Sequence, residues 1–148
     1  MLSAKLRDEL KLSKNFVIMY NRSLGSLRGL TETIEAIAIT KPKHPDIVFF
    51  ILGQCSKKYE ADLKKLIEEK SIVENVYIHE AVSHESVPKF LAMCDVGIVP
   101  LAAYSFPLSS CPLKLIEYLG MAKPVISTDI PFSRELLDLQ MWNPNSFK

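Results

Sequence analysis

The chain has 148 residues, 48% of them hydrophobic and 24% charged, which is enough apolar material for one domain with a sizeable core and argues against a disordered chain. Lys and Arg number 18 against 17 Asp and Glu, so the net charge of +1 points to neither nucleic acid nor an anionic membrane as the main partner. Any cationic site must be local.

The opening stretch MLSAKLRDELKLSKN alternates charges with leucines, and its spacing predicts a helix over residues 3–11. It lacks the apolar core of a signal peptide, and the longest apolar runs are far too short to span a bilayer. The expectation is a cytoplasmic protein, with any membrane association coming through the parent protein. Cys55, Cys94 and Cys111 lie far apart without C-x-x-C spacing, as free thiols in a reducing compartment would.

Five β-branched or aromatic runs follow: FVIMY (16–20), DIVFFILG (46–53), NVYIH (75–79), DVGIVPL (95–101) and PVISTD (124–129). Their composition suits strands buried on both faces of a parallel sheet. Helical patterns separate them. Leu27, Leu30, Ile34, Ile37 and Ala38 form one apolar stripe, Leu63, Leu66 and Ile67 a second, and Val87, Phe90, Leu91 and Cys94 a third. Leu113, Leu115, Ile116 and Leu119 mark a further helix expected to be largely buried, and a last one is expected over 133–139. The tail MWNPNSFK, with Trp142 and Phe147, carries no further signal and reads as the point where a longer chain has been cut.

Alternation of strand and helix, with crossovers of one helix each, gives an α/β fold: a Rossmann-like open parallel sheet of about five strands with helices on both faces. Ligands of such sheets bind outside the carboxyl ends of the strands, where strand order reverses, which for the order 3-2-1-4-5 lies between the first and fourth strands. The loops that matter are then NRSLGSLRG (21–29) and LAAYSFPLSSCPLK (101–114).

The first loop carries Arg22 and Arg28 beside a helix N-terminus, a combination suited to a diphosphate. On residue type alone two solvated loop arginines would be as good a reading; their position at the switch point favours the anion site. In the second loop, Pro112 suits the first position of a helix, with Ser110 or Cys111 as cap. Lys114 adds a point charge near the phosphates, and Glu117 is an acceptor for a pair of sugar hydroxyls. A mid-helix glutamate is usually solvated, but this helix leaves few wet faces, and a buried carboxylate needs a partner.

The blocks NRSLGSLRGLTETIEAI, IVFFILG, ENVYIHEAVSHESVPKFLAMCDVGIVPL and CPLKLIEYLGMAKPVISTDIPFSRELL together resemble the C-terminal, donor-binding domain of a GT4-type (group 1) retaining glycosyltransferase, one half of a GT-B architecture. By that resemblance Arg22 and Arg28 match a basic pair on the donor diphosphate, with Asn21 where glycine is common. Glu117 matches the glutamate that holds the donor ribose. The first glutamate of the family's E-x7-E motif would fall at Ser109, a departure that bears on recognition of the donor sugar, for which Ser109 and Ser110 are the candidates. Pro112 stands where many members have glycine, and the amide of Leu113 with the side chain of Lys114 would compensate. Ala81 and Val82 would lie near the nucleotide base.

The resemblance further implies a UDP- or GDP-sugar as donor, no cofactor and no metal, and an acceptor-binding N-terminal domain outside this chain. The expected organisation is a linker and first helix over 1–14, the nucleotide-sugar-binding domain over 15–140 and a tail over 141–148. No catalytic residue is assigned within it, and the isolated fragment is expected to be inactive. The competing reading is a non-catalytic α/β module that has lost the donor site and serves assembly or regulation.

Other signals are weaker. His79 and His84 with Glu80 and Glu85 lack metal-ligand spacing, and Cys111 has no nearby histidine to serve as a base. G-x-G-x-x-G and P-loop motifs are absent.

Overall fold

A computed structural model describes residues 2–101 and 112–136. Among these, five parallel strands, β1 (Phe16–Asn21), β2 (Ile47–Leu52), β3 (Val76–His79), β4 (Val96–Val99) and β5 (Val125–Ser127), form one sheet in the order β3-β2-β1-β4-β5. The helices are α1 (Leu2–Glu9), α2 (Leu30–Thr40), α3 (Lys57–Glu69), α4 (Val87–Met93), α5 (Leu113–Gly120) and α6 (Pro131–Leu136). This is the expected Rossmann-like sheet, and its order reverses between β1 and β4.

Period-two alternation divides the core. Val17 and Met19 of β1 and Val48, Phe50 and Leu52 of β2 join Phe90 and Leu91 of α4 and Leu115 and Tyr118 of α5. On the opposite face Tyr20, Ile47, Phe49 and Ile51 join Leu30, Ile34 and Ile37 of α2 and Leu63 and Ile67 of α3. β2 is buried along its whole length because both its faces carry a helix layer, which is why its sequence is apolar without interruption.

Local chemistry explains the ends of several elements. α1 stops before residue 11 because Lys11 takes a left-handed conformation (φ 59°) and the amide of Leu12 bonds back to the carbonyl of Arg7, closing the helix in a Schellman-type turn. Arg7 then donates to the carbonyl of Met93 and pairs with Asp95, whose carboxylate also accepts the amide of Val17. That network ties α1 to the entry of β1 and β4. α3 is capped by the Ser56 side chain, which accepts from the amide of Tyr59.

Two expectations about helix faces are corrected. Leu27 is half exposed and precedes α2, which begins only at Leu30 after the left-handed Gly29. In α5 the buried face is Lys114, Leu115 and Tyr118, while Leu113 and Ile116 are exposed. The rotation is set by Tyr118. Its ring lies against Gly97 of β4, where any side chain would collide with it, and its hydroxyl donates to the carbonyl of Met19 at 2.7 Å. Tyr118→Phe should therefore lower stability by about 1 kcal/mol, read as a shifted urea midpoint with an unchanged slope.

Pro112 sits one residue ahead of its expected place, at the N-cap of α5, and contributes no side-chain cap there. The last helix starts at Pro131, two residues earlier than expected. Ser109, Ser110, Cys111, Trp142 and Phe147 lie outside the described residues. No helix of the described residues is long and apolar enough to cross a membrane.

Candidate functional site

At the carboxyl ends of β1, β2 and β3 a cleft of about 220 Å³ opens. Asn21, Arg22 and Ser23 enter it from the end of β1, Gly53 and Gln54 from the end of β2, and Ala81, Val82 and His84 from the segment after β3. Glu117 of α5 closes its other side.

Glu117 is the centre of the polar arrangement. One carboxylate oxygen pairs with the guanidinium of Arg22, and the other accepts from Nδ2 of Asn21 at 2.9 Å. The partners of this partly buried carboxylate come from the end of β1, across the switch point. Arg22 itself has a strained backbone, with φ at 104° in a region that favours glycine. Its amide donates to the carbonyl of Leu52, and its own carbonyl passes so close to Gly53 that a Cβ there would stand 2.0 Å away. The absent side chain at residue 53 is what lets the loop turn into the cleft.

The rest of the β1–α2 loop is tied down by two tyrosines. Tyr20 donates its hydroxyl to the carbonyl of Ser23 at 2.9 Å, and Tyr59 of α3 donates to that of Gly25 at 3.0 Å. Burial pushes the Tyr20 hydroxyl up to about 12, so its ring is neutral across the physiological range.

Over that ring lies Lys114, its Nζ 3.9 Å from the ring centroid. Lys114 is only 4% exposed, and among the described residues its ammonium has no hydrogen-bond acceptor. Burial brings its pKa down to about 7, and the Arg28 and Arg22 guanidiniums add to the fall against the opposing carboxylate of Glu117. A buried cation without an acceptor, beside two guanidiniums, is a configuration that a bound anion would relieve.

The sequence-predicted residues therefore divide. Arg22, Glu117, Ala81 and Val82 line one cleft. Lys114 of α5 feels the charges of Arg28, Arg22 and Glu117. Leu113 opens α5, where the first amides of the helix have no partner within it. Asn21, Gln54 and His84 line the cleft without having been singled out for it. Gln54 was findable, since it follows a run of six buried strand residues and a glycine and so must lie at a strand's carboxyl end. His79 instead packs its ring against Phe50 and Phe90.

Comparison with known proteins bears on this geometry. The family described as "Glycosyl transferases group 1" matches residues 3–140. The chain belongs to the group 1 glycosyltransferases. It is 24% identical over 135 residues to the alpha-D-kanosaminyltransferase of Streptomyces kanamyceticus, spanning 91% of this chain and 33% of that enzyme. The fold matches Anabaena Alr3699/HepE, solved in complex with UDP and glucose, at a TM-score of 0.79 and 22% identity over 91% of this chain and 35% of that one. It also matches the C-terminal domain of the group 1 family protein LpcC from Francisella tularensis, at a TM-score of 0.71 and 14% identity, covering 97% of this chain and 84% of that domain. This glycosyltransferase domain thus spans about a third of the length of the full-length relatives just named.

Proposed function

We propose that the cleft binds the donor of a retaining hexosyltransferase, a UDP- or GDP-sugar, for transfer to an acceptor in polysaccharide or glycoconjugate synthesis. The observation that carries this reading is the meeting of Glu117 with Arg22 beside the buried Lys114, which has no acceptor among the described residues. Glu117 takes the ribose hydroxyls, Arg22, Arg28 and Lys114 take the diphosphate with the amide of Leu113, and Ala81 and Val82 border the base. Ser109 and Ser110, outside the described residues, are the candidates for the donor sugar by the family resemblance. UDP in the complex of the Anabaena protein supports a nucleoside diphosphate as the ligand class.

The chemistry asked of this half is electrostatic. As the glycosidic bond to the nucleoside diphosphate breaks, negative charge gathers on the departing phosphate, and pre-placed cations and helix amides stabilise it without reorganising. In this reading the cations do the work that a divalent metal does elsewhere. The acceptor site belongs to an N-terminal domain outside this chain, so the isolated domain binds donor without transferring it.

Calorimetric titration with UDP, GDP and their glucose conjugates tests the assignment. Arg22→Ala and Arg28→Ala are each expected to weaken binding at least about tenfold, the scale of one charge-assisted contact. Glu117→Ala should weaken nucleotides but not inorganic pyrophosphate. Unchanged affinity in either arginine variant would overturn the reading.

A further inference from the structure

We infer that Asn21 is a positioning residue of the donor site: it fixes the Glu117 carboxylate in the orientation that reads the ribose, and so sets the preference for ribonucleotide over deoxyribonucleotide donors. This rests on the function proposed above for Glu117.

The two partners of Glu117 are unlike each other. Arg22 has a side chain 40% exposed, carries a full charge and is also needed at the diphosphate. Asn21 is 3% exposed, neutral, and held by its short side chain at the last residue of β1, in register with Leu52. A guanidinium drawn toward a diphosphate leaves its carboxylate; an amide locked on a central strand does not. After donor binding, Asn21 is the partner that still holds the carboxylate plane.

The amide orientation follows from the same contact. With Nδ2 toward Glu117 the pair is a 2.9 Å hydrogen bond, whereas the flipped amide would set two oxygens against each other. Before the donor binds, each carboxylate oxygen has one protein donor and one lone-pair direction left; departure of Arg22 frees a further direction, so two adjacent sugar hydroxyls have room.

Asn21 also carries a cost that a purely structural residue would avoid. Its Oδ1 is buried and has no hydrogen-bond partner among the described residues. A buried orphan acceptor lowers stability, so part of what the amide gains through Glu117 is offset.

The test is titration of the full chain with UDP and 2′-deoxy-UDP, and with GDP and 2′-deoxy-GDP in parallel. Asn21→Ala is expected to weaken the ribonucleotide about tenfold and the deoxynucleotide far less, so that the ratio between them falls toward one. Thermal unfolding checks that the variant is folded. In the Glu117→Ala background the same substitution should have no further effect, because Asn21 acts through that carboxylate. An unaltered ribose-to-deoxyribose ratio, or an undiminished loss in the Glu117→Ala background, overturns the inference while leaving the donor site standing. Absence of nucleotide binding by the unaltered chain overturns both. Should Asn21→Ala fail to fold, Asn21→Gly reads out the same ratio.

Discussion

Lys114→Met is expected to make the empty domain more stable and the donor-bound domain much weaker. The ammonium it removes is buried and has no acceptor among the described residues, and methionine is an unbranched apolar side chain of similar length. Replacing an uncompensated buried charge by an apolar residue is commonly neutral or stabilising, and among the described residues the change forfeits the contact with the Tyr20 ring and the attraction of Glu117. With a diphosphate present the balance reverses, because the anion loses a cationic partner. A loss of about thirtyfold or more in UDP-glucose affinity corresponds to the lower end of what removing one member of a buried charged pair costs. Thermal unfolding with and without UDP-glucose measures both halves. A variant that binds as tightly as the parent would remove Lys114 from the site.

The same residue predicts a pH dependence. Its pKa falls from 10.5 in the unfolded chain to about 7 in the fold, so above pH 7 the unfolded state holds more protons and stability rises with pH. The rise should be visible up to about pH 8.5, where thiols such as Cys94, pushed up to about 11 by burial, begin to lose protons in the unfolded chain and oppose it. Donor affinity runs the other way and weakens as pH passes upward through 7, since the ammonium is the form that pairs with phosphate. UDP-glucose is the probe, because its diphosphate does not itself titrate there. Both slopes should vanish in Lys114→Met.

Gly29→Ala is expected to be the most damaging single change to the fold near the site. Gly29 has φ 68°, and a Cβ added to it would stand 1.8 Å from the carbonyl oxygen of Pro100. The obstacle is backbone, so no rotamer change relieves it, and the strained conformation adds to the cost. A loss of about 3 kcal/mol or more is expected, at the upper end of overpacking effects. The corner after β1 and the end of β4 would have to separate, carrying Arg28 away from Lys114. Gly25→Ala is the control: the nearest atom to its added Cβ is 3.8 Å away on the Arg28 side chain, so stability should change by no more than about 0.5 kcal/mol. Urea denaturation of both variants decides it, and equal effects would refute the clash.

Legibility differed with the range of the interaction. The strand runs, the β-α alternation and the two loops at the switch point follow from local periodicity and from chain connectivity, which admits few topologies. Arg22 could be named because it follows a strand's carboxyl end at the switch point, and Glu117 because it lies on a helix with few wet faces whose start this topology aims at the same crevice. Leu27 and the exposed Leu113 and Ile116 went astray for a local reason: apolar spacing says that a helix has a buried face but, where apolar residues surround it, not which one.

Residue type and period by themselves thus determined the strands and the open α/β sheet, and the usual strand order for such sheets then pointed to the two loops at the switch point. Only the tertiary structure decided that α5 turns on Tyr118, that Lys114 rather than Ile116 goes inside, and that Asn21 reaches a carboxylate 96 residues away in the chain. Those facts depend on a ring fitting over Gly97 and on the register of β1 against its neighbours. Such contacts join distant segments through packing, and packing leaves no period in a sequence.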